Sequence, residues 1–131
     1  PRLLTHKIWD TKTFKIWSVE EDEELKNEIS QLIKTFPPEE KCRLTDQLIR
    51  SSRSINSQIA EGHGRRTWPD SLRFSVIARG SLSETLNYLI DALDEKYINE
   101  EQLNYFRNKI TEVEKLLNGY INYLETKSKE S

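Results

Sequence analysis

Arg65 and Arg66 lie in the middle of IAEGHGRRTWPDSLRFSVIARG, residues 59–80, where the side chains best able to recognise a ligand are concentrated. Guanidinium groups stay charged at any physiological pH and present forked donors that match phosphate oxygens. Thr67-Trp68-Pro69-Asp70 follows, a hydroxyl cap, a proline and an acid in the order that opens a helix. The first N–H groups of that helix point outward, at the positive end of its dipole. Two sources of positive potential therefore meet in one turn. Arg73 follows one to two turns into the helix, on the face opposite its core leucines, and Arg53 and His63 precede the turn. Together these five residues could hold a phosphodiester backbone. The alternative is that Arg65 and Arg66 only solvate a turn.

Other charged residues nearby suit the fold better. At 100° per residue, Arg79 falls within about 50° of the core stripe of its helix, where a partly buried ion pair is the better use of a guanidinium. An antiparallel hairpin about Gly64 brings together residues whose numbers sum to about 128. That offers Asp46 as a partner for Arg79 and sets Arg50 beside residues 80–84, with Glu84 at hand. Arg79, Arg50, Asp46 and Glu84 are therefore assigned to structural ion pairing.

Catalytic and metal chemistry find little support. His6, His63 and Cys42 are far apart and show no ligand spacing, so neither a metal nor another cofactor is expected. The serine-rich stretch 51–57 has no nucleophile elbow, and neither a glycine-rich phosphate loop nor a pair of catalytic acids stands out. A non-enzymatic protein is expected. Cys42 is the single cysteine, which rules out an intrachain disulfide and suits the cytoplasm. No apolar run approaches the roughly 20 residues of a membrane span, and the N-terminus lacks the apolar core of a signal peptide.

Charge is distributed unevenly. The 131 residues carry a formal net charge of −2, which argues against a uniformly basic surface. Residues 41–80 nevertheless hold eight Lys or Arg against three acids, whereas residues 81–131 hold ten acids against six bases. One segment could meet phosphate while the remainder keeps the protein in solution.

The elements that must position these residues are helices. Charged residues at 32%, four glycines and four prolines in 131 residues favour long amphipathic helices in one domain. Residues 1–17 show no helical period and carry Trp9, Phe14 and Trp17, an irregular strap expected to pack on this or a neighbouring subunit. Ser18-Val19-Glu20-Glu21 has capping-box spacing and opens a first helix, 18–36, with Leu25, Ile29, Leu32 and Phe36 on one face. Pro37-Pro38 divides it from a second helix, 38–62, whose small residues predict close packing against a neighbour. Ile49, Asn56 and Ala60 give that helix a second contact face. Gly62 and Gly64 can take the left-handed conformation that closes a helix.

A third helix, 67–96, follows the Thr67 cap and buries Leu82, Leu86, Leu89 and Leu93; Gly80 interrupts it, which predicts a close contact there. Asn99 caps a fourth helix, 99–126, with a seam of Leu103, Phe106, Ile110, Val113, Leu117, Tyr120 and Leu124. Residues 128–131 are expected to fray. The sum is an all-α, antiparallel up-down-up-down four-helix bundle.

FPPEEKCRLTDQLIRSSRSINSQIAEGHGRR followed by SLRFSVIARGSLSE resembles the signature of the bacterial four-helix bundle proteins called 23S rRNA intervening-sequence proteins. Trp17, the first helix and LLNG at residues 116–119 extend the resemblance over most of the chain from about Phe14. The resemblance implies a left-handed bundle that assembles into a ring, most often a homopentamer. It also points to the related accessory proteins of diversity-generating retroelements, which bind nucleic acid and a reverse transcriptase. The family pattern carries a proline where this chain has Asn56, so a weaker kink is expected in the second helix. Two functions follow as expectations: a ring that binds RNA or DNA through Arg65, Arg66, Arg73, Arg53 and His63, or a scaffold ring for a protein partner.

Overall fold

The computed structural model describes residues 11–130, with the side chains from Asp22 onward other than those of Lys41 and Cys42. The architecture is all-α: α1 (Thr11–Leu32), α2 (Asp46–His63), α3 (Trp68–Asp94) and α4 (Glu100–Glu130). Consecutive helices pack on one another and α1 also packs on α4, so all four surround one core. The core stripes of α1 and α4 follow the predicted steps of three and four, from Leu25, Ile29 and Leu32 in α1 to Leu103 through Leu124 in α4.

The α2–α3 contact is built from small hydroxyl side chains. Ser51, Ser52, Ser71, Ser75, Ser81 and Thr85 are buried, and only Leu82 and Leu89 of the four predicted core leucines of α3 are fully so. Ser54 and Ser81 share a 2.9 Å hydrogen bond, and Thr85 Oγ1 lies 2.9 Å from both Ser51 Oγ and the Ser81 carbonyl. Small residues let the helices approach, and their hydroxyls satisfy one another where water is excluded. Of the predicted second face of α2, Asn56 meets α1 within the same chain, its Nδ2 donating to Glu23 Oε1 at 3.0 Å, while Ala60 is exposed. Helix α2 runs unbroken through Asn56.

Several boundaries differ from the sequence reading. Helix α1 starts at Thr11, so Ser18 lies inside it rather than at its start. After Leu32 a short 3₁₀ turn, Ile33–Thr35, leads to Phe36 in extended conformation, as a residue before proline prefers. A 3₁₀ turn, Pro38–Glu40, and a π-helical turn, Lys41–Thr45, then replace the expected first turns of the second helix. Glu40 is buried there and accepts hydrogen bonds of 2.7 Å from Tyr97 Oη and from Arg43. The Tyr97 hydroxyl, and then Arg43, hold its carboxyl below the usual range, while Glu40 pushes the Tyr97 phenol up to about 12. This bond ties the α1–α2 connection to the α3–α4 turn.

Helix α3 ends in a Schellman motif, with Tyr97 N–H bonded to the Ala92 carbonyl and Lys96 N–H to that of Leu93, both at 2.9 Å. Lys96 sits at φ 66°, where a side chain is strained. Asn99 and Gln102 form the reciprocal capping box that opens α4. Helix α4 continues to Glu130, past the expected end at residue 126.

The glycines behave differently from expectation. None takes a positive φ, and Gly64 closes α2 at φ −81°. Gly80 is exposed and a Cβ there would meet nothing within 4 Å. The close approach occurs at Gly62 instead, where a Cβ would lie 3.2 Å from Phe74 Cβ and 3.4 Å from the Ser71 carbonyl. Among the described residues no helix is long and apolar enough to cross a membrane. Residues 11–17, expected to be irregular, form the first turns of α1, whereas residues 1–10, His6 and Trp9 among them, and the side chains of Phe14, Trp17 and Cys42 lie outside the described residues.

Candidate nucleic-acid interface at the α2–α3 turn

The turn from Gly64 to Thr67 is short because both of its ends are fastened. Gly64 N–H bonds to the Glu61 carbonyl at 3.1 Å, and Ser71 Oγ donates to the Gly62 carbonyl at 2.8 Å in a buried site. Gly62 permits this contact, since any side chain would press on the first turn of α3. Thr67 is the N-cap of α3 as predicted, its Oγ1 accepting from Asp70 N–H at 3.3 Å. Aromatic rings brace the turn against α4: Trp68 meets Tyr123 edge-on at 6.0 Å, and the His63 ring lies 5.7 Å from Tyr120.

The five predicted ligands are divided by this geometry. Arg65, Arg66 and Arg73 share the exposed end of the α2–α3 hairpin. Arg53 is exposed but lies about three turns back along α2, roughly 15 Å away. His63 is half-buried against α4 and does not extend the arginine surface.

Arg65 donates to Glu61 at 2.7 Å and Arg73 lies 3.9 Å from Asp70, so neighbouring acids partly neutralise both. Arg53 and Arg66 form no ion pair with any described residue. The Glu61–Arg65 pair was readable from its i, i+4 spacing.

One member of the site was missed in the sequence. Phe74 carries both paired arginines, with the Arg65 and Arg73 guanidinium carbons 4.6 and 4.9 Å from its ring centroid. An aromatic side chain immediately after an arginine, in the helix that follows the turn, was the available signal.

The structural ion pairs also rearrange. Arg79 donates to Asn118 Oδ1 of α4 at 2.9 Å, and Asp46 pairs with Arg50 at 3.1 Å on the surface of α2. The expected Arg79–Asp46 contact fails because residues 64–67 lie outside both helices and shift the register. Ser54 therefore opposes Ser81, and the start of α2 reaches the end of α3, where Gln47 and Asp91 line one groove. Glu84 is exposed and lines a groove of about 360 Å³ with Arg50 and Tyr88.

The fold is similar to a solved structure from Bacteroides thetaiotaomicron, described as a protein of unknown function from the S23 ribosomal protein family. The two share 27% identity with a TM-score of 0.76, over 83% of this chain and 98% of that one. A comparison with curated protein sequences returned no match. The pattern of the 23S rRNA-intervening sequence proteins matches residues 12–119. With four packed helices and a match across most of its length, the chain belongs to the 23S rRNA-intervening sequence protein family.

Proposed function

We propose that this protein is a non-enzymatic, cytoplasmic nucleic-acid-binding protein, a left-handed antiparallel bundle that assembles into a homopentameric ring and grips RNA or DNA backbone with the α2–α3 turn. The observation that carries this reading is the exposed turn on which Arg66, without an ion pair among the described residues, stands beside Arg65 and Arg73 at the capped start of α3. Such a surface holds phosphate oxygens at low entropic cost because its backbone is braced on both sides. Repetition around a ring converts a weak contact on each subunit into tight binding. The family's description ties its members to 23S rRNA, which makes RNA the first ligand to test.

Labelled RNA titrated at about 50 mM salt and then at higher salt provides the test, because displaced counterions make phosphate binding steeply salt-dependent. Arg65→Ala with Arg66→Ala is expected to weaken binding at least tenfold. Undetectable binding by the wild type, or an unaffected variant, overturns this reading. Light scattering measures the assembly in the same samples.

A second reading, a scaffold ring for a protein partner, draws on the outer face of α3. Val76 and Ile77 are each 42% exposed there, close to the open space at Gly80. Recovery of the same protein partner after nuclease treatment supports it, and loss of the partner on that treatment counts against it.

A further inference from the structure

We infer that the Arg65–Phe74–Arg73 cluster is a base-stacking site, so that the preferred ligand is single-stranded nucleic acid; this rests on the nucleic-acid reading of the turn. A guanidinium has two kinds of surface, an edge that donates hydrogen bonds and a flat face that stacks. At Arg65 the edge is committed to Glu61 at 2.7 Å, and at Arg73 Asp70 stands 3.9 Å away. A phosphate approaching either group must compete with a carboxylate. The faces are in a different condition. The guanidinium carbon of each lies over the Phe74 ring, 4.6 and 4.9 Å from its centroid, while the side chains remain 40% and 63% exposed.

Phe74 and the two acids thus gather both guanidinium groups at one exposed point of the surface, where their planar faces are available to a further ring. A nucleobase can extend such a stack without displacing either ion pair, and bases stack readily on arginine planes. Only unpaired bases offer a free face, since a duplex presents its phosphates and buries its rings. Arg66 is left to hold the backbone of the strand. The division of labour is one cation unpaired among the described residues for phosphate and two paired cations for bases.

The test uses fluorescence anisotropy with three probes of about 12 nucleotides, near the length such sites cover. These are a mixed-sequence DNA strand, the same strand built from abasic nucleotides, and the corresponding duplex. Wild-type protein is expected to bind the natural strand roughly tenfold more tightly than the abasic strand or the duplex. Arg65→Lys with Arg73→Lys keeps the charge and removes the planar face, and is expected to lower the natural strand to the abasic level. Circular dichroism verifies that the variant is folded. Equal affinity for natural and abasic strands, a duplex bound as tightly as the strand, or an unchanged preference in the lysine variant overturns the stacking site and leaves backbone binding standing. Failure of all three probes to bind, in this DNA series and in the matching RNA series, overturns both.

Discussion

Replacing Asp22 with asparagine removes a charge from the middle of a hydrophobic stripe. Asp22, Leu25, Ile29 and Leu32 form one buried face of α1, with Asp22 at 0% exposure and no hydrogen-bond partner for either carboxylate oxygen among the described residues. Burial, and then the adjacent Glu23, push its carboxyl from the ordinary 3.8 up to about 7, against a weaker opposing pull from Lys26. Between those values the folded protein keeps a proton that the unfolded chain has released. The native state therefore binds more protons, and stability falls as pH rises through this window.

A rise from 3.8 to about 7 corresponds to roughly 4 kcal/mol, spent progressively from about pH 4 and complete somewhat above pH 7. The asparagine side chain would not ionise, and its unpartnered amide costs about 1–3 kcal/mol at every pH. Urea unfolding followed by far-UV circular dichroism at several pH values from about 4 to 8 reads the difference. Asp22→Asn should be no more stable than wild type at the acid end and more stable by about 1–3 kcal/mol at pH 8. Wild-type and variant stabilities that run parallel with pH would refute a buried, unpaired Asp22.

Gly80→Ala should stabilise the isolated chain by about 1 kcal/mol, because an exposed helix interior gains propensity and a Cβ there meets nothing. Gly62→Ala should instead destabilise it by about 1 kcal/mol or more, since Phe74 Cβ and the Ser71 carbonyl leave too little room; thermal melts of the two variants moving in the same direction contradict this. Lys96→Gly should raise stability by about 0.5–1 kcal/mol in denaturant melts by relieving the φ of 66° at the end of α3. Glu40 has a depressed pKa, so its contribution is present above 4.5 and lost as pH falls through its folded value. Tyr97→Phe should therefore flatten the acid limb of the stability profile, and an unchanged limb counts against the Glu40–Tyr97 bond.

Much of the fold was legible because helical periodicity and end signals are local. The Thr67 and Asn99 caps, the Pro37-Pro38 break and the seam of α4 each depend on residues within a few positions of one another. The small residues of α2 announced a close neighbour for the same reason. Asp22 shows the limit. Three residues before Leu25, it continues the stripe, yet with the helix opened at Ser18 the predicted stripe begins only at Leu25. Once α1 begins at Thr11, the same residue is a core position.

The candidate site divides along the same line. Residue type and order determined that a basic turn joins two helices, that Thr67 caps the second, and that Arg65 stands four residues after an acid. Side-chain contacts between helices depend on register, which a four-residue linker shifts without any local sign. Tertiary structure therefore decided that Gly62 rather than Gly80 is the close contact, that Arg79 reaches Asn118 rather than Asp46, and that Phe74 gathers Arg65 and Arg73 over one ring.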